Sequence, residues 1–92
     1  MKITLVGDCQ EQATSICRAR DLFKNLLFSE SLKFAEETSD KVFIISTLRL
    51  LVEPDQVIEP YSLPMIKLTK SQQVHWSRLV VSQLCRAVSH NV

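Results

Sequence analysis

VFIISTLRLLVEPDQVIEPY, residues 42–61, is the stretch that decides the fold. Residues 42–45 form a continuous apolar run, which is typical of a β-strand covered on both faces. Pro54 and Pro60 then indicate a loop, because proline lacks a backbone N–H and moves the preceding residue away from helical geometry. Since α/β sheets bind ligands at the carboxyl ends of their strands, residues 46–51 mark the place of a site. Their sequence, STLRLL, contains little catalytic chemistry.

A strand and a helical segment precede this stretch. Residues 3–6, ITLV, are apolar and end at Gly7, so they predict a first strand. Apolar residues recur at three- and four-residue steps over residues 10–27, which predicts an amphipathic helix. Ser29 is predicted to cap a second helix over residues 29–37. Parallel pairing of the two strands then makes a right-handed βαβ unit.

The rest of the chain predicts a short strand and a long helix. Residues 65–68 are a candidate edge strand. Thr69 and Gln72 form a T-x-x-Q capping box, and an apolar helical stripe with Trp76 follows it. We therefore expect residues 1–92 to form a single α/β domain. It would contain a small βαβ-based sheet, parallel or mixed, of two to four strands, flanked by helices and followed by a C-terminal amphipathic helix.

Composition is typical of an ordinary soluble protein. The net charge of +1 gives a weak overall field, so any attraction to nucleic acid depends on local patches. The apolar start, MKITLVG, is too short for a signal peptide or a membrane span, which predicts a cytoplasmic protein that does not contact membrane. Cys9, Cys17 and Cys85 fit no disulfide framework and no zinc spacing, so we expect reduced thiols, no metal and no cofactor.

Asp8 and Cys9 follow the first strand and are candidates for a strand-end pocket. A nucleophilic cysteine needs a base, and the sequence places no histidine near Cys9. The simpler interpretation, which we favour, is that Gly7 makes a turn, Asp8 caps a helix and Cys9 is a small buried residue. We therefore predict no catalytic residue here.

Two kinds of residue are candidates for a binding surface. Basic side chains on the predicted helices would contact phosphate or an acidic partner, although a solvated face balanced by acids explains them more simply: Arg18, Arg20, Lys24, Arg78 and Arg86. The run LRLLV, residues 48–52, is more unusual, and with Ile58 it forms either part of the core or an exposed apolar patch. Such a patch marks a protein interface or a homodimer, and its central residues are Leu48, Arg49, Leu50 and Leu51.

Four blocks of residues give the chain a resemblance to a known family. Cys9 fits a first strand that ends in C-S-x-x-K. The other blocks are A-x-x-L-[YF]-x-S-x-x-F, matched by Ala19, Leu22, Phe23 and Phe28; S-A-[KR]-x-G-L-[LV]-x-P, matched by Ser46, Leu51, Val52 and Pro54; and P-Y-[DE] before a helix with tryptophan, matched by Pro60, Tyr61 and Trp76. On these matches the chain resembles a domain family of unknown function from short bacterial and phage proteins, loosely grouped with nucleobase-linked or peroxide-stress domains.

The chain departs from that pattern at its polar and special positions. Ala13 stands in place of a lysine, Asn25 of a serine, Leu48 of a basic residue, Leu50 of a glycine and Ser62 of an acid. A lysine, a serine and an acid near two strand ends can bind an anion or move a proton, whereas the residues present here cannot replace that set. The resemblance therefore implies a degenerate member of the family.

Three functions follow as expectations. The first is a non-enzymatic binding protein that contacts another protein or a protein–nucleic-acid complex, and the resemblance suggests a phage or mobile-element inhibitor of a host defence complex. The second, by analogy with the family, is a nucleotide- or nucleobase-processing enzyme with a pocket at Asp8, Cys9, Asn25 and Ser46, beside Arg49. The third is an RNA- or DNA-binding module that uses the basic helices, and a homodimer remains open for each.

Overall fold

The computed structural model describes residues 1–63 and 65–90 of the chain. Its elements, in chain order, are β1 (Ile3–Gly7), β2 (Cys17–Arg18), α1 (Ala19–Leu22), α2 (Leu26–Thr38), β3 (Lys41–Ser46), β4 (Leu50–Val52), β5 (Val57–Ile58), a 3₁₀ turn (Met65–Lys67) and α3 (Lys70–His90). This order confirms the α/β class that the sequence predicts.

A mixed three-stranded sheet in the order β1-β3-β4 lies at the centre of the fold. β1 runs parallel to β3, with Val6 beside Ile44, and β3 runs antiparallel to β4, with Ile44 opposite Val52. This row of side chains is buried in one core with residues of α2. The parallel β1–β3 pair, with α2 in the connection, is the predicted βαβ unit. β2 and β5 form a separate antiparallel pair.

Helix α2 begins earlier than predicted because Asn25, and not Ser29, caps it. The side-chain Oδ1 of Asn25 accepts hydrogen bonds from the N–H groups of Leu27 at 2.8 Å and Phe28 at 3.4 Å. The buried side chains of the helix are Phe28, Leu32 and Ala35. Phe34, on the same helix, is 66% exposed.

The long helix predicted over residues 10–27 is wrong. The chain instead folds back on itself, and the Ala13 N–H donates to the Leu22 carbonyl at 2.7 Å. Within this segment the helical part is α1 alone, together with the start of α2. Some of the apolar residues at this spacing are buried because they enter the core from this compact turn: Ala19, Leu22 and Phe23. Part of the pattern therefore reflects burial and not helical geometry, while Ile16, Leu26 and Leu27 are exposed.

β3 and β4 are joined by a tight turn over residues 47–49. Leu50, the first residue of β4, has a φ angle of 65°, in the left-handed region. Leucine in this geometry is strained by about 1–2 kcal/mol, because its Cβ approaches the following carbonyl oxygen. Ser46 closes the turn by accepting a hydrogen bond from the Arg49 N–H at 3.0 Å.

Helix α3 starts at the predicted capping box and lies along β4. The Thr69 N–H donates to Gln72 Oε1 at 2.8 Å, and the Gln72 N–H donates to Thr69 Oγ1 at 3.1 Å. Further along the helix, Gln83 Oε1 accepts a hydrogen bond from the Leu51 N–H at 2.9 Å. The helix thus occupies the outer edge of β4. Residues 65–68 do not form the predicted strand, and Met65–Lys67 form the 3₁₀ turn instead.

Candidate functional site

A chain of hydrogen bonds joins the carboxyl ends of β1 and β3. Asp8 follows β1, and Ser46 is the last residue of β3. Between them lies the hydroxyl of Tyr61, which donates to Asp8 Oδ2 at 2.5 Å and accepts from Ser46 Oγ at 2.7 Å. The Thr47 N–H donates to the same Asp8 oxygen at 3.4 Å. We call this arrangement the Asp8–Tyr61–Ser46 clasp.

The clasp is better suited to holding the strand ends than to chemistry. Burial, and then the hydrogen bond to Asp8, raises the pKa of Tyr61 well above the ordinary value for tyrosine. The phenol therefore stays protonated at neutral pH and is a weak acid. The Ser46 hydroxyl donates to Tyr61 and accepts from the Arg49 N–H, so its hydrogen bonds are structural and do not activate it as a nucleophile.

Three of the four predicted pocket residues lie together. Asp8, Cys9 and Asn25 line a cavity of about 560 Å³ between β1 and α2, whereas Ser46 is fully buried and is linked to Asp8 through Tyr61. Asp8 is an acceptor in the clasp, and the prediction that it caps a helix is wrong. The Cys9 thiol, which is partly buried, donates to a backbone carbonyl at 3.2 Å. Asn25 has a structural role as the cap of α2.

Tyr61 and Gln12 are site residues that sequence reasoning missed. The Tyr61 N–H donates to Gln12 Oε1 at 2.9 Å, and Gln12 Nε2 donates to the Cys9 carbonyl at 3.0 Å. These bonds fix the loop after β5 against the end of β1. The signal for Tyr61 is its place after Pro60, in the fourth block of the resemblance. Nothing in the local sequence pattern marks Gln12.

Two of the basic binding candidates form surface ion pairs with acids of the same chain. Arg20 forms ion pairs with Glu36 at 3.0 Å and Asp55 at 2.7 Å, and these hydrogen bonds raise the pKa of its guanidinium further. The hydrogen bond that Arg20 donates to Asp55 lowers the pKa of the Asp55 carboxyl. Arg18 pairs with Asp21 at 3.1 Å and with Asp55 at 3.5 Å. The remaining basic candidates on the predicted helices are exposed: Lys24, Arg78 and Arg86.

An open groove of about 500 Å³ lies between the β3–β4 turn and α3. Its apolar side chains, which we call the leucine groove, are Leu48, Leu50, Leu63, Leu68, Trp76 and Leu79. Leu48 is 49% exposed and Leu79 is 41% exposed. The indole N–H of Trp76 donates to the Ser46 carbonyl at 3.3 Å, which joins the groove to the clasp.

The predicted apolar patch of residues 48–52 with Ile58 is divided by the fold. Val52 and Ile58 are buried in the core. Leu51 is half-buried, and its N–H is bonded to the side chain of Gln83. The other two leucines line the groove. The groove, and not the whole run, is therefore the candidate contact surface.

The segments that carry much of the groove are basic. Residues 60–92 contain no aspartate or glutamate, although they contain Lys67, Lys70, Arg78 and Arg86. The net charge of +1 does not show this segregation, in which all the acidic residues lie at or before Glu59. In the turn beside the groove, Arg49 has its Nε buried with no hydrogen-bond partner among the described residues.

Almost the whole chain matches one known protein family. Residues 3–92 match the family described as a family of unknown function, DUF6884. The chain belongs to this family. The match agrees with the resemblance drawn from the sequence, at the level of a small domain of unknown function. No curated protein and no solved structure matches the DUF6884 chain significantly.

Two further properties bear on this DUF6884 domain. Among the described residues, no group of three or more histidine, cysteine, aspartate or glutamate side chains is placed to hold a metal ion. The helices within residues 1–63 and 65–90 include none that is long and apolar enough to cross a bilayer.

Proposed function

We propose that this DUF6884 domain is a non-enzymatic binding protein whose leucine groove takes an apolar segment, flanked by acidic residues, from a partner protein. The groove supplies apolar contact area, and the basic residues between positions 60 and 92 supply the charge. The clasp supports the groove through the bond between Trp76 and Ser46.

The left-handed geometry of Leu50 is the observation that carries this proposal. Glycine adopts such a φ angle without strain, and the pattern that the chain resembles has glycine at this position. Leucine here destabilises the fold by about 1–2 kcal/mol, yet its side chain lines the groove. Backbone strain of this kind is typical of ligand-contacting sites. We infer that Leu50 is retained for the contact that its side chain offers.

The charge of the neighbouring segments favours an acidic partner. Lys67, Lys70 and Arg78 adjoin groove residues in the sequence, and no acidic residue follows Glu59. A basic segment of this kind favours negative over positive charge in a partner.

The same contacts favour the two alternatives less. An enzyme with a strand-end pocket needs an activated side chain, and the clasp engages Asp8, Tyr61 and Ser46 with one another. Of the basic candidates for a nucleic-acid module, Arg18 and Arg20 are paired with acids of the same chain, which leaves Lys24, Arg78 and Arg86 for such a surface. Each alternative predicts its own assay result, which is nucleotide turnover for the enzyme and salt-dependent oligonucleotide binding for the nucleic-acid module.

We also propose the setting in which the partner is met. Cys9, Cys17 and Cys85 are free thiols, which suits the reducing cytoplasm. The resemblance to bacterial and phage proteins makes a component of a host defence complex the first partner to test, with the DUF6884 domain as its inhibitor.

Panning a displayed library of random peptides on the immobilised protein tests the binding function. We expect the enriched sequences to combine apolar anchors with acidic flanks. We also expect the fluorescence emission of Trp76 to shift when an enriched peptide is added, because Trp76 is the one tryptophan of the chain and lines the groove. Enrichment of basic peptides, or no enrichment, would contradict the proposal.

Substitutions at Leu48 separate the apolar contact from the charge. Leu48→Glu and Leu48→Lys both remove a groove side chain, but only the glutamate repels an acidic peptide. Affinity should therefore fall further for Leu48→Glu than for Leu48→Lys. Val57→Glu is the matched control, because Val57 is exposed on β5 and does not line the groove. An equal loss in all three variants would show that the groove is not the binding surface.

Two assays distinguish the alternatives. Binding of a single-stranded oligonucleotide that falls steeply with salt and is lost in Arg78→Glu would indicate a nucleic-acid module and overturn the protein partner. Turnover of nucleotide substrates that disappears in Asp8→Asn would indicate an enzyme. We expect neither signal above that of the buffer.

A further inference from the structure

The two outer edges of the central sheet differ in how they are covered. On β4, the N–H of Leu51 is bonded to Gln83 of α3. β1 forms the other edge and pairs with β3 on its inner side. Exposed strand edges invite pairing with another strand, and proteins usually cover or block them. Within the part of the chain that the structure describes, no strand pairs with the outer side of β1, so this edge is free to pair with another strand.

The backbone groups that face outward from β1 follow from its hydrogen bonds to β3. The Lys2 carbonyl accepts from the Lys41 N–H, and the Asp8 N–H donates to the Ile45 carbonyl. Even-numbered residues of β1 thus direct their backbone groups toward β3. Because direction alternates along a strand, the N–H and C=O groups of three residues point to the free edge: Ile3, Leu5 and Gly7.

The space beside this edge is open and apolar. β1 and α2 line the cavity of about 560 Å³, and its wall on α2 includes Leu27 and Phe34. These side chains are 75% and 66% exposed, and they lie seven residues apart on one face of the helix. A Cβ at Gly7 would meet no atom within 4 Å, which also shows that the strand end is open.

We propose that β1 pairs antiparallel with β1 of a second copy of this chain, around a two-fold axis at Leu5. In this register Leu5 lies opposite Leu5 of the second copy, and Ile3 lies opposite its Gly7. Every outward N–H then meets an outward carbonyl, because all these positions are hydrogen-bonded pairs. The two sheets become one continuous sheet, and both open edges disappear.

The charges of β1 fit a second copy. The strand itself, ITLVG, is uncharged, with Lys2 before it and Asp8 after it. The register places Lys2 opposite Asp8 of the second copy at both ends of the pair, so opposite charges meet twice. The described hydrogen bonds to the Asp8 carboxylate are both accepted by Oδ2, which leaves Oδ1 for this contact. An unrelated strand has no reason to match both ends.

Disulfide trapping tests the register. In a background with Cys9, Cys17 and Cys85 replaced by serine, Leu5→Cys places the two introduced cysteines opposite each other. Their Cα atoms would be about 5.5 Å apart, within the range of about 4.4–6.8 Å that a disulfide bridges. Thr4→Cys is the matched control, because the cysteine at position 4 of the second copy would be its diagonal neighbour, about 7–8 Å away, and not its direct partner. We expect mild oxidation to link Leu5→Cys and not Thr4→Cys.

Light scattering after size exclusion tests the dimer without cross-linking. The unmodified protein should show twice the mass of one chain, and Phe34→Glu should reduce it to one chain with the folded far-ultraviolet spectrum retained. Val81→Glu changes an exposed valine of α3 and should leave the dimer intact. Lys2→Glu should weaken the dimer several-fold, and Lys33→Glu, with the same charge change on the solvent face of α2, should not.

Each contrary outcome overturns the proposal. A chain that stays monomeric at every concentration leaves β1 to a strand from another protein. Loss of the dimer in Val81→Glu, with the Phe34→Glu dimer intact, moves the interface to α3. Equal linking of Leu5→Cys and Thr4→Cys excludes the register. The leucine groove lies beside α3 at the other edge of the sheet, so these outcomes do not depend on the function proposed above.

Discussion

Tyr61 donates a hydrogen bond from its hydroxyl to Asp8 Oδ2 at 2.5 Å, although the two residues are 53 positions apart in the chain. This bond ties the loop after β5 to the end of β1. The same hydroxyl accepts from Ser46, and the carbonyl of Ser46 accepts from Trp76. One tyrosine therefore connects both strand ends with the wall of the leucine groove.

Removing the Tyr61 hydroxyl should destabilise the fold. Tyr61→Phe keeps the ring, which packs edge-on against Phe23 at a centroid distance of 6.2 Å, but removes both hydrogen bonds. Partly buried Asp8 and buried Ser46 then lose a partner, so we expect a loss of about 1–3 kcal/mol in the free energy of unfolding. Urea unfolding measures it. A change below about 0.5 kcal/mol, the range of neutral surface substitutions, would show that the clasp is not structural.

The titration of Tyr61 should be displaced to high pH. It is the one tyrosine of the chain, so the phenolate absorbance reports its pKa directly. Burial and the bond to Asp8 raise this pKa, so phenolate should form above the usual value of about 10. Asp8→Asn removes the negative charge and should lower the pKa. An unchanged pKa in Asp8→Asn would contradict the assigned contact.

The raised pKa of Tyr61 also predicts how stability depends on pH. The unfolded chain releases the phenolic proton near pH 10, while the folded chain still holds it. The contribution of the clasp is therefore complete below about pH 10 and is lost as the pH rises through the folded-state pKa. Urea midpoints of the unmodified protein and Tyr61→Phe should converge over that range. Midpoints that stay parallel would contradict this linkage.

The cap of α2 should be detectable by substitution. Asn25→Ala removes the acceptor for two N–H groups and should cost about 1 kcal/mol in unfolding free energy. Ser29→Ala is the matched control, because Ser29 is exposed and lies inside the helix, and it should change stability by less than about 0.5 kcal/mol. A larger effect at Ser29 would restore the helix start that the sequence predicts.

The ion pair of Arg20 and Asp55 should respond to acid. The hydrogen bond from Arg20 lowers the pKa of Asp55, so this pair stabilises the fold above the ordinary carboxyl pKa and stops doing so as the pH falls through the folded-state value. The urea midpoint of Asp55→Asn should lie below that of the unmodified protein near neutral pH, and the difference should shrink in acid. A difference that does not change with pH would exclude the pair as its cause.

The sequence predicts the parts of the fold that depend on local pattern. The apolar run at residues 42–45 lies within β3, and the T-x-x-Q capping box starts α3 with both of its hydrogen bonds. The helix predicted over residues 10–27 is wrong because its apolar spacing mixes buried residues of a compact turn with exposed ones. The edge strand predicted at residues 65–68 is wrong because Gln83, from the distant helix α3, accepts the hydrogen bond of the Leu51 N–H at the edge of β4.

The candidate site was predictable in position and not in composition. Asp8 and Ser46 are found from the rule that sites lie at strand ends. Tyr61 reaches them from a loop that no periodicity describes, and Gln12 joins it from a segment predicted as helix. The groove needs the φ angle of Leu50 and the path of α3, neither of which is encoded in a short motif.

The most direct test of the central claim, that Leu50 is strained in order to line a binding groove, is to measure stability and binding together in Leu50→Gly. Glycine removes the strain at φ 65° and also removes the side chain from the groove. We predict that the free energy of unfolding is unchanged or rises by up to about 1 kcal/mol. The affinity for an acidic peptide selected by panning should fall at least tenfold, or about 1.4 kcal/mol. A less stable Leu50→Gly that binds the peptide with unchanged affinity would contradict the account.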